Sequence, residues 1–413
     1  MRENRPAAMF PARELPDKPS IAVLPFTNLS DDPEQEYFAD GMVEDITSAL
    51  SRFKSLFVIA RNSSFTYKGK AVDVKQVGRE LGVRYVLEGS VRKAAGRVRI
   101  TGQLIDSQTG VHLWADRFDG SIEDVFALQD QLTESVVGAV APRLDQAEME
   151  RAKRKPVESL DAYDCFFRGM ARAREQTKDS WEEALRLFYQ AIELDPNFAT
   201  PYGMAARCYM TRKRQGWVID KNFEEVETRR LASHVSAVGH DDALALCWAG
   251  NSLAFVCREY DGGAALLDQA LSINPNLAVC WQLRGWVSVW LGQHEAALEQ
   301  LGRAMRLSPR DPEMHRSETA LAVVHLLRGR YDEALEWATK SIARQADATG
   351  TMRILAIANA FAGKLDEARR LMTQVRRQHP ALSISDLRKN LPYRRLQDIE
   401  KMIEGMRLAG LPE

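Results

Sequence analysis

The chain has 413 residues, enough for two or three domains with their own cores. With 45% hydrophobic residues, 27% charged residues and a formal net charge of -1, it has the composition of an ordinary soluble globular protein, and nothing global points to nucleic acid. Cys165, Cys208, Cys247, Cys257 and Cys280 stand at no CxxC spacing and read as free thiols. The N-terminus lacks the apolar core of a secretory signal, and no window approaches the ~18 apolar residues of a membrane span, so the expectation is a cytoplasmic protein with no membrane span.

Residues 1–19 hold four of the sixteen prolines and show no hydrophobic period, which reads as a linker with nothing in front of it. Residues 20–150 alternate short strands and helices and predict an α+β domain in the order β-α-β-α-β-β-β-α. "SIAVLPF" is a strand of the kind buried on both faces. The stretch "DDPEQEYFADGMVEDI", Asp31 to Ile46, then carries seven acids and no Lys or Arg. Helix-start chemistry accounts for most of them: Asp32 caps, Pro33 takes the first position, Gln35 closes a capping box, and Glu34 and Glu36 favour the positive end of the helix dipole. A helix start already occupied by carboxylates repels phosphate, and the spacing from Asp31 does not make a calcium loop.

"DVKQVGRELGV" predicts a short helix closed by Gly82. "RYVLEGSVRK", "RVRITGQLID" and "VHLWADRF" predict an antiparallel meander, with Val98, Ile100, Gly102 and Leu104 on one face of the middle strand and Arg97, Arg99, Thr101 and Gln103 on the other. Arg92, Lys93, Arg97 and Arg99 make one basic hairpin, without the interleaved aromatics that would stack bases. A solvated face, or one paired with the acidic helix, is the expectation over nucleic acid. In "DGSIED" Ser121 can cap and Asp124 can answer it, and a helix follows with Val125, Leu128, Leu132, Val136 and Val140 on one stripe.

From 159 to about 400 the pattern is wholly helical and repeats. Small, large, small and Pro recur at offsets 0, 4, 7 and 12: Ala184, Phe188, Ala191, Pro196; Gly263, Leu267, Ala270, Pro275; Ala297, Leu301, Ala304, Pro309; and more faintly Ala368, Met372, Val375, Pro380. Pro275 and Pro309 lie 34 residues apart, the tetratricopeptide period, and about six repeats fit, the one at 200–241 being irregular through an insertion near "RKRQGWVIDKNF". Small residues let neighbouring helices approach to ~8 to 10 Å, and each unit leaves an apolar face for the next to cover, so the array is predicted to be an all-α solenoid with a concave groove. By analogy within the repeat, Trp248, Phe255, Gln282, Trp286, Trp290, Leu326 and Arg353 face that groove. They either anchor a protein or peptide partner or fill gaps between helices.

No HExxH, GxSxG, GxxxxGK[ST] or GxGxxG occurs, so the sequence offers no catalytic constellation, no metal site and no cofactor. Residues 18 to 400 closely resemble the TolB-like amino-terminal type of domain followed by tetratricopeptide repeats found in bacterial signalling proteins, with "IAVLPF", "DPEQEYFADGM" and "GVRYVLEGSVR" in order. In that family the two modules commonly lie C-terminal to a class III nucleotide cyclase or a winged-helix DNA-binding domain, neither of which fits in the nineteen residues before the α/β domain here. The resemblance implies a non-enzymatic regulatory or scaffold protein that binds partners through its groove, or the regulatory C-terminal portion or partner of a class III nucleotide cyclase or of a transcription regulator, without cyclase activity of its own.

Overall fold

The structure is a computed structural model that describes residues 16–30, 36–70, 72–94, 97–121, 125–155, 161–308, 311, 313–346, 348–380 and 382–413. The capping pairs expected at Asp32 with Gln35 and at Ser121 with Asp124 lie outside the described residues, as do residues 1–15 of the linker and the side chains of Val125 and Leu128. The chain forms two compact units, Met1–Pro201 and Tyr202–Glu413.

In the first unit, strand β1 (Ser20–Val23) is buried at all four positions because it has a neighbour on each side and side chains packed on each face. It pairs in parallel with β3 (Phe57–Val58) and with β4 (Tyr85–Ala94). From β4 the sheet continues antiparallel through β5 (Arg97–Asp106) to β6 (His112–Ser121), giving the order β3-β1-β4-β5-β6. Three short elements add to the expected order: strand β2 (Thr27–Asn28), which runs beside β4, a one-turn helix α2 (Arg61–Ser64) and a 3-10 turn at Phe65–Tyr67.

One sheet face is covered by α1 (Glu36–Ser51) and α4 (Val125–Arg154), with Ile21, Val23, Leu87, Ile100 and Leu104 packed against Met42, Ile46, Leu132, Val136 and Val140. The other carries α3 (Val74–Leu81) only behind β1 and β4, through Ala22, Leu24, Val77, Val83 and Val86. Beyond α3 the back of β5 is wet, which is why its burial alternates strictly over Arg97–Leu104. Asp73 caps α3 through the Lys75 amide, and Gly82 closes it at φ 66°, in the left-handed region that an L side chain avoids.

Helix α4 does not end the unit. Its last turns are tied to α5 (Ala162–Ala173) by Arg151 to Asp164 at 3.1 Å and by the Arg168 guanidinium donating to the Ala152 carbonyl at 2.9 Å. These bonds draw the first helical hairpin, α5 with α6 (Lys178–Leu194), into the first unit, whereas the sequence places a domain change at residues 150–159.

Five more hairpins follow: α7 (Ala199–Gln215) with α8 (Lys221–Val238), α9 (Ala243–Cys257) with α10 (Tyr260–Ile273), α11 (Ala278–Leu291) with α12 (His294–Leu307), α13 (Met314–Leu327) with α14 (Tyr331–Arg344), and α15 (Thr349–Phe361) with α16 (Leu365–Gln378). The signature positions do what their size dictates. Ala184, Ala191, Leu267, Ala270, Ala297, Leu301, Ala334 and Ala368 are all buried. Asp195, Asn274, Ser308 and His379, each directly before a signature proline, leave the helical region, because the proline ring clashes with a helical residue in front of it. The insertion makes α7 and α8 17 and 18 residues long, against 14 in each helix of the α11–α12 hairpin.

After α16 the chain turns back. Helices α17 (Ile384–Asn390) and α18 (Leu396–Leu408) lay the C-terminal segment across the hairpin turns of the second unit. The Arg394 amide donates to the Trp290 carbonyl at 2.8 Å, Arg395 to the Gly292 carbonyl at 3.1 Å and Lys401 to the Leu327 carbonyl at 3.2 Å. Gly405 sits so close to Ile357 and Phe361 of α15 that a Cβ would come within 2.3 Å of Ile357. One segment thus ties three successive hairpins together.

Candidate partner-binding face of the repeat unit

The first helix of each hairpin offers one residue per repeat to the same side of the array. Trp248 on α9, Gln282 on α11 and Arg316 on α13 stand 34 residues apart and mark that line. The Arg207 guanidinium of α7 lies over the Trp248 ring with its carbon 4.1 Å from the ring centroid. Six residues on from Arg207 and seven on from Trp248, Lys213 Nζ lies 5.9 Å from the Phe255 ring centroid. Phe255 then meets Trp290 at 5.2 Å between centroids, and Trp290 meets Trp286 at 6.2 Å. Cations of α7 thus lie against aromatics of α9, and Phe255 of α9 meets the indoles of α11, with the cation-over-ring contacts adding attraction beyond packing.

The seven residues expected to face a groove divide. Trp248, Phe255, Trp286 and Trp290 are brought together, with Phe255 and Trp286 part-exposed and Trp248 and Trp290 nearly covered. Trp286 also packs on the Leu301, Ala320 and Leu321 cluster, so this ring both fills a gap and shows an edge. Gln282 is buried and donates to Ser317 Oγ at 3.0 Å, a bond that fixes α11 to α13. Leu326 is fully buried and is corrected to a core residue: α13 is covered along nearly its whole length from Ala320 to Leu327, so no face of it at Leu326 is open. Arg353 on α15 lies with Tyr393 of the C-terminal segment in its field, and its Nε has no hydrogen-bond partner among the described residues; burial lowers its pKa.

Charged groups missed in the sequence line the same side. Burial pulls Arg207 down to about 10, and burial with the fields of Arg316 and Arg207 pulls Arg214 down to about 9. Burial pushes the Glu313 carboxyl up, but Arg316, Arg207 and Arg214 together hold it below the usual range. Arg316 grips Glu313 at 2.7 and 3.4 Å. The 34-residue period from Gln282 would have found Arg316. Arg207 lies in the irregular repeat, 41 residues before Trp248, where counting slips.

The charged stretches of the first unit are internally paired. Lys68 bonds Glu36 at 2.8 Å and Asp40 at 2.6 Å, and Arg61 lies 3.7 Å from Glu44, so three of the acids on the described helix are met by the basic segment after β3. On the basic hairpin Arg99 pairs with Asp119 of β6 at 2.6 Å. Among the described residues no group of three His, Cys, Asp or Glu side chains could hold a metal ion, and no helix is long and apolar enough to cross a membrane.

Fold and face define a two-part protein, an α+β domain followed by an array of tetratricopeptide-type helical hairpins. Comparison with known proteins narrows the setting. Residues 17–135 match the family profile described as the HilA/YgeH-like transcriptional regulator, second domain. A protein of Rhizobium meliloti (strain 1021), provisionally named adenylate cyclase 3, is 48% identical over 216 residues, 52% of this chain and 37% of that protein. The transcriptional regulator HilA of Salmonella typhimurium is 24% identical over 313 residues, 75% of this chain and 54% of that one. The crystal structure of PilW, a widely conserved type IV pilus biogenesis factor, aligns at 17% identity with a TM-score of 0.41, over 54% of this chain and 94% of PilW. The chain thus spans 37% and 54% of the length of these two curated relatives.

Proposed function

We propose that this chain is a non-enzymatic regulatory or scaffold protein of a bacterial signalling system that binds a protein partner on the first-helix side of its repeat unit. The observation that supports this reading is the Arg207 guanidinium over Trp248 beside the run of rings from Phe255 through Trp290 to Trp286, in which Phe255 and Trp286 are part-exposed. Rigid aromatics beside arginine are the residue types that dominate protein interfaces, because they bury large area at small entropy cost. The test is affinity capture from lysate of the source cells, with bound proteins identified by mass spectrometry. A Phe255→Ala, Trp286→Ala variant with an unchanged melting temperature should lose the captured partner; a variant that keeps it refutes the proposal.

A second reading rests on the 48% match to the Rhizobium protein: the chain is the regulatory portion or partner of a class III nucleotide cyclase in the cytoplasm, and makes no cyclic nucleotide itself. Purified chain with ATP and a divalent metal should then yield no cyclic AMP, while its addition should change the rate of the cyclase. An unchanged rate removes this reading.

A further inference from the structure

The sheet of the first unit ends differently at its two edges. At one lies β3, a strand of two residues, too short to template another chain. At the other lies β6, ten residues long, which pairs with β5 alone among the described residues. Alternate backbone N–H and C=O groups of an edge strand point away from the sheet and are available to a further strand. Edges are commonly protected by short length, Lys or Pro, and His112–Ser121 has none of these.

The side chains of β6 define the strand that fits it. Arg117 and Asp119 stand on the wet face, opposite Thr101 and Arg99 of β5. Their side chains are 61% and 49% exposed and lie 3.6 Å apart, a looser pair than Asp119 with Arg99 at 2.6 Å. On the core face the Trp114 and Phe118 ring centroids are 6.1 Å apart, and Phe118 is only half-buried.

A second β6 running antiparallel about Phe118 sets Phe118 opposite Phe118, Arg117 opposite Asp119, Asp116 opposite Gly120 and Ala115 opposite Ser121. Directly opposed residues share a face, so an Arg–Asp pair forms on the wet side in each half of the contact, and the two rings meet on the other side. Gly120 leaves room for the inward Asp116. Centring the pairing on Asp116, Arg117 or Asp119 instead brings two like charges face to face, so the sequence selects one register. The register shift of the β5–β6 pair, at Leu104/Ile105, lies outside the part of β6 from Ala115 to Ser121, and the stretch that pairs is regular.

We propose that this edge takes a second copy of the chain, β6 against β6, in an isologous antiparallel dimer with two Arg117–Asp119 pairs flanking a Phe118–Phe118 contact. A foreign acidic strand would satisfy Arg117 but set a like charge against Asp119, and a basic strand would do the reverse; the chain's own strand satisfies both. The dimer is independent of the partner-binding reading of the repeats. One strand edge is a small contact beside the roughly 800 Å² per partner of a standard interface, so the dimer should dissociate on dilution.

Sedimentation velocity of the full chain over a range of concentrations should show a monomer–dimer equilibrium. Arg117→Asp and Asp119→Arg, both at exposed positions, each set like charges opposite one another twice per contact, and each should weaken dimerisation about tenfold or more. Mixed in equal amounts, the two variants regain opposite charges at both pairs and should associate about tenfold more tightly than either does alone, a pattern that loss of folding cannot produce. A parent chain that stays monomeric at every concentration overturns the proposal. So does a dimer that both variants keep at full strength, which would lie on another surface, and so does a mixture that associates no better than its components. Should Asp119→Arg fail to fold through its lost bond to Arg99, Arg117→Asp still decides: a folded variant that dimerises like the parent overturns the proposal.

Discussion

Replacing Gly263 by alanine tests whether the hairpins pack as tightly as their small residues imply. In an open helix this change stabilises by about 1 kcal/mol, since alanine loses less backbone entropy. Here a Cβ would lie 2.4 Å from the Gly250 carbonyl oxygen and 2.8 Å from the Ala254 Cβ, against 3.4–4 Å for ordinary contact. The obstacle is mostly backbone, which no rotamer change relieves, so α9 and α10 must part by roughly 1 Å. Overpacking of this kind costs about 1 to 3 kcal/mol, and with rigid atoms on the far side the upper half of that range applies. After the propensity gain the net loss is about 1 to 2 kcal/mol, a fall in melting temperature of roughly 2 to 8 °C for a unit of this size. Gly302→Ala is the matched control. Its nearest neighbour is the Arg306 guanidinium at 3.6 Å, so this substitution should raise the melting temperature by a few degrees. Differential scanning calorimetry of both variants decides the matter. A Gly263→Ala protein as stable as the parent would refute the close-packing argument.

Other consequences follow in the first unit and at the C-terminus. Glu148 is fully buried, accepts from Tyr85 at 2.8 Å and pairs with Arg84 at 3.2 Å and Arg151 at 2.7 Å, so Glu148→Ala leaves buried donors unmatched and should cost about 3 to 5 kcal/mol in urea unfolding of that unit. Burial pushes the Asp145 carboxyl from 3.8 to about 6, with Glu148 adding to the shift and Arg174 opposing it. The folded chain therefore holds this proton more tightly than the unfolded one, and stability should fall as pH rises from about 4 to about 6; Asp145→Asn should flatten that slope, and an unchanged slope refutes the assignment. Removing residues 383–413 should lower the melting temperature of the repeat unit and raise binding of a hydrophobic dye, because Ile357 and Phe361 lose the cover of α18. Unaltered melting would show that the segment only rests on the turns.

Local rules made much of the fold readable. The buried strand at Ser20–Val23, the meander, the Gly82 stop and the proline-ended hairpins each depend on residues close in sequence. The two-residue strand Thr27–Asn28 is too short to carry a period, and its pairing with Ser90 and Val91 is settled by residues some sixty positions away. The C-terminal clasp was equally hidden, since Arg395 finds its acceptor at Gly292 across 103 positions. At the candidate face the aromatics were legible because they sit in regular repeats. Leu326 was misplaced because repeat analogy assumes that one face of α13 stays open, and burial runs nearly all the way round it. Arg207 escaped notice because the insertion after Arg212 breaks the 34-residue count back from Trp248.

The central claim is that partners meet the chain on the first-helix side of the repeats. A photo-crosslinking residue placed at Phe255, and separately at Leu194 on the exposed surface of α6, tests it most directly in lysate of the source cells. Position 255 should give a discrete protein adduct and position 194 none. No adduct at 255, or the same adducts from both positions, would contradict it.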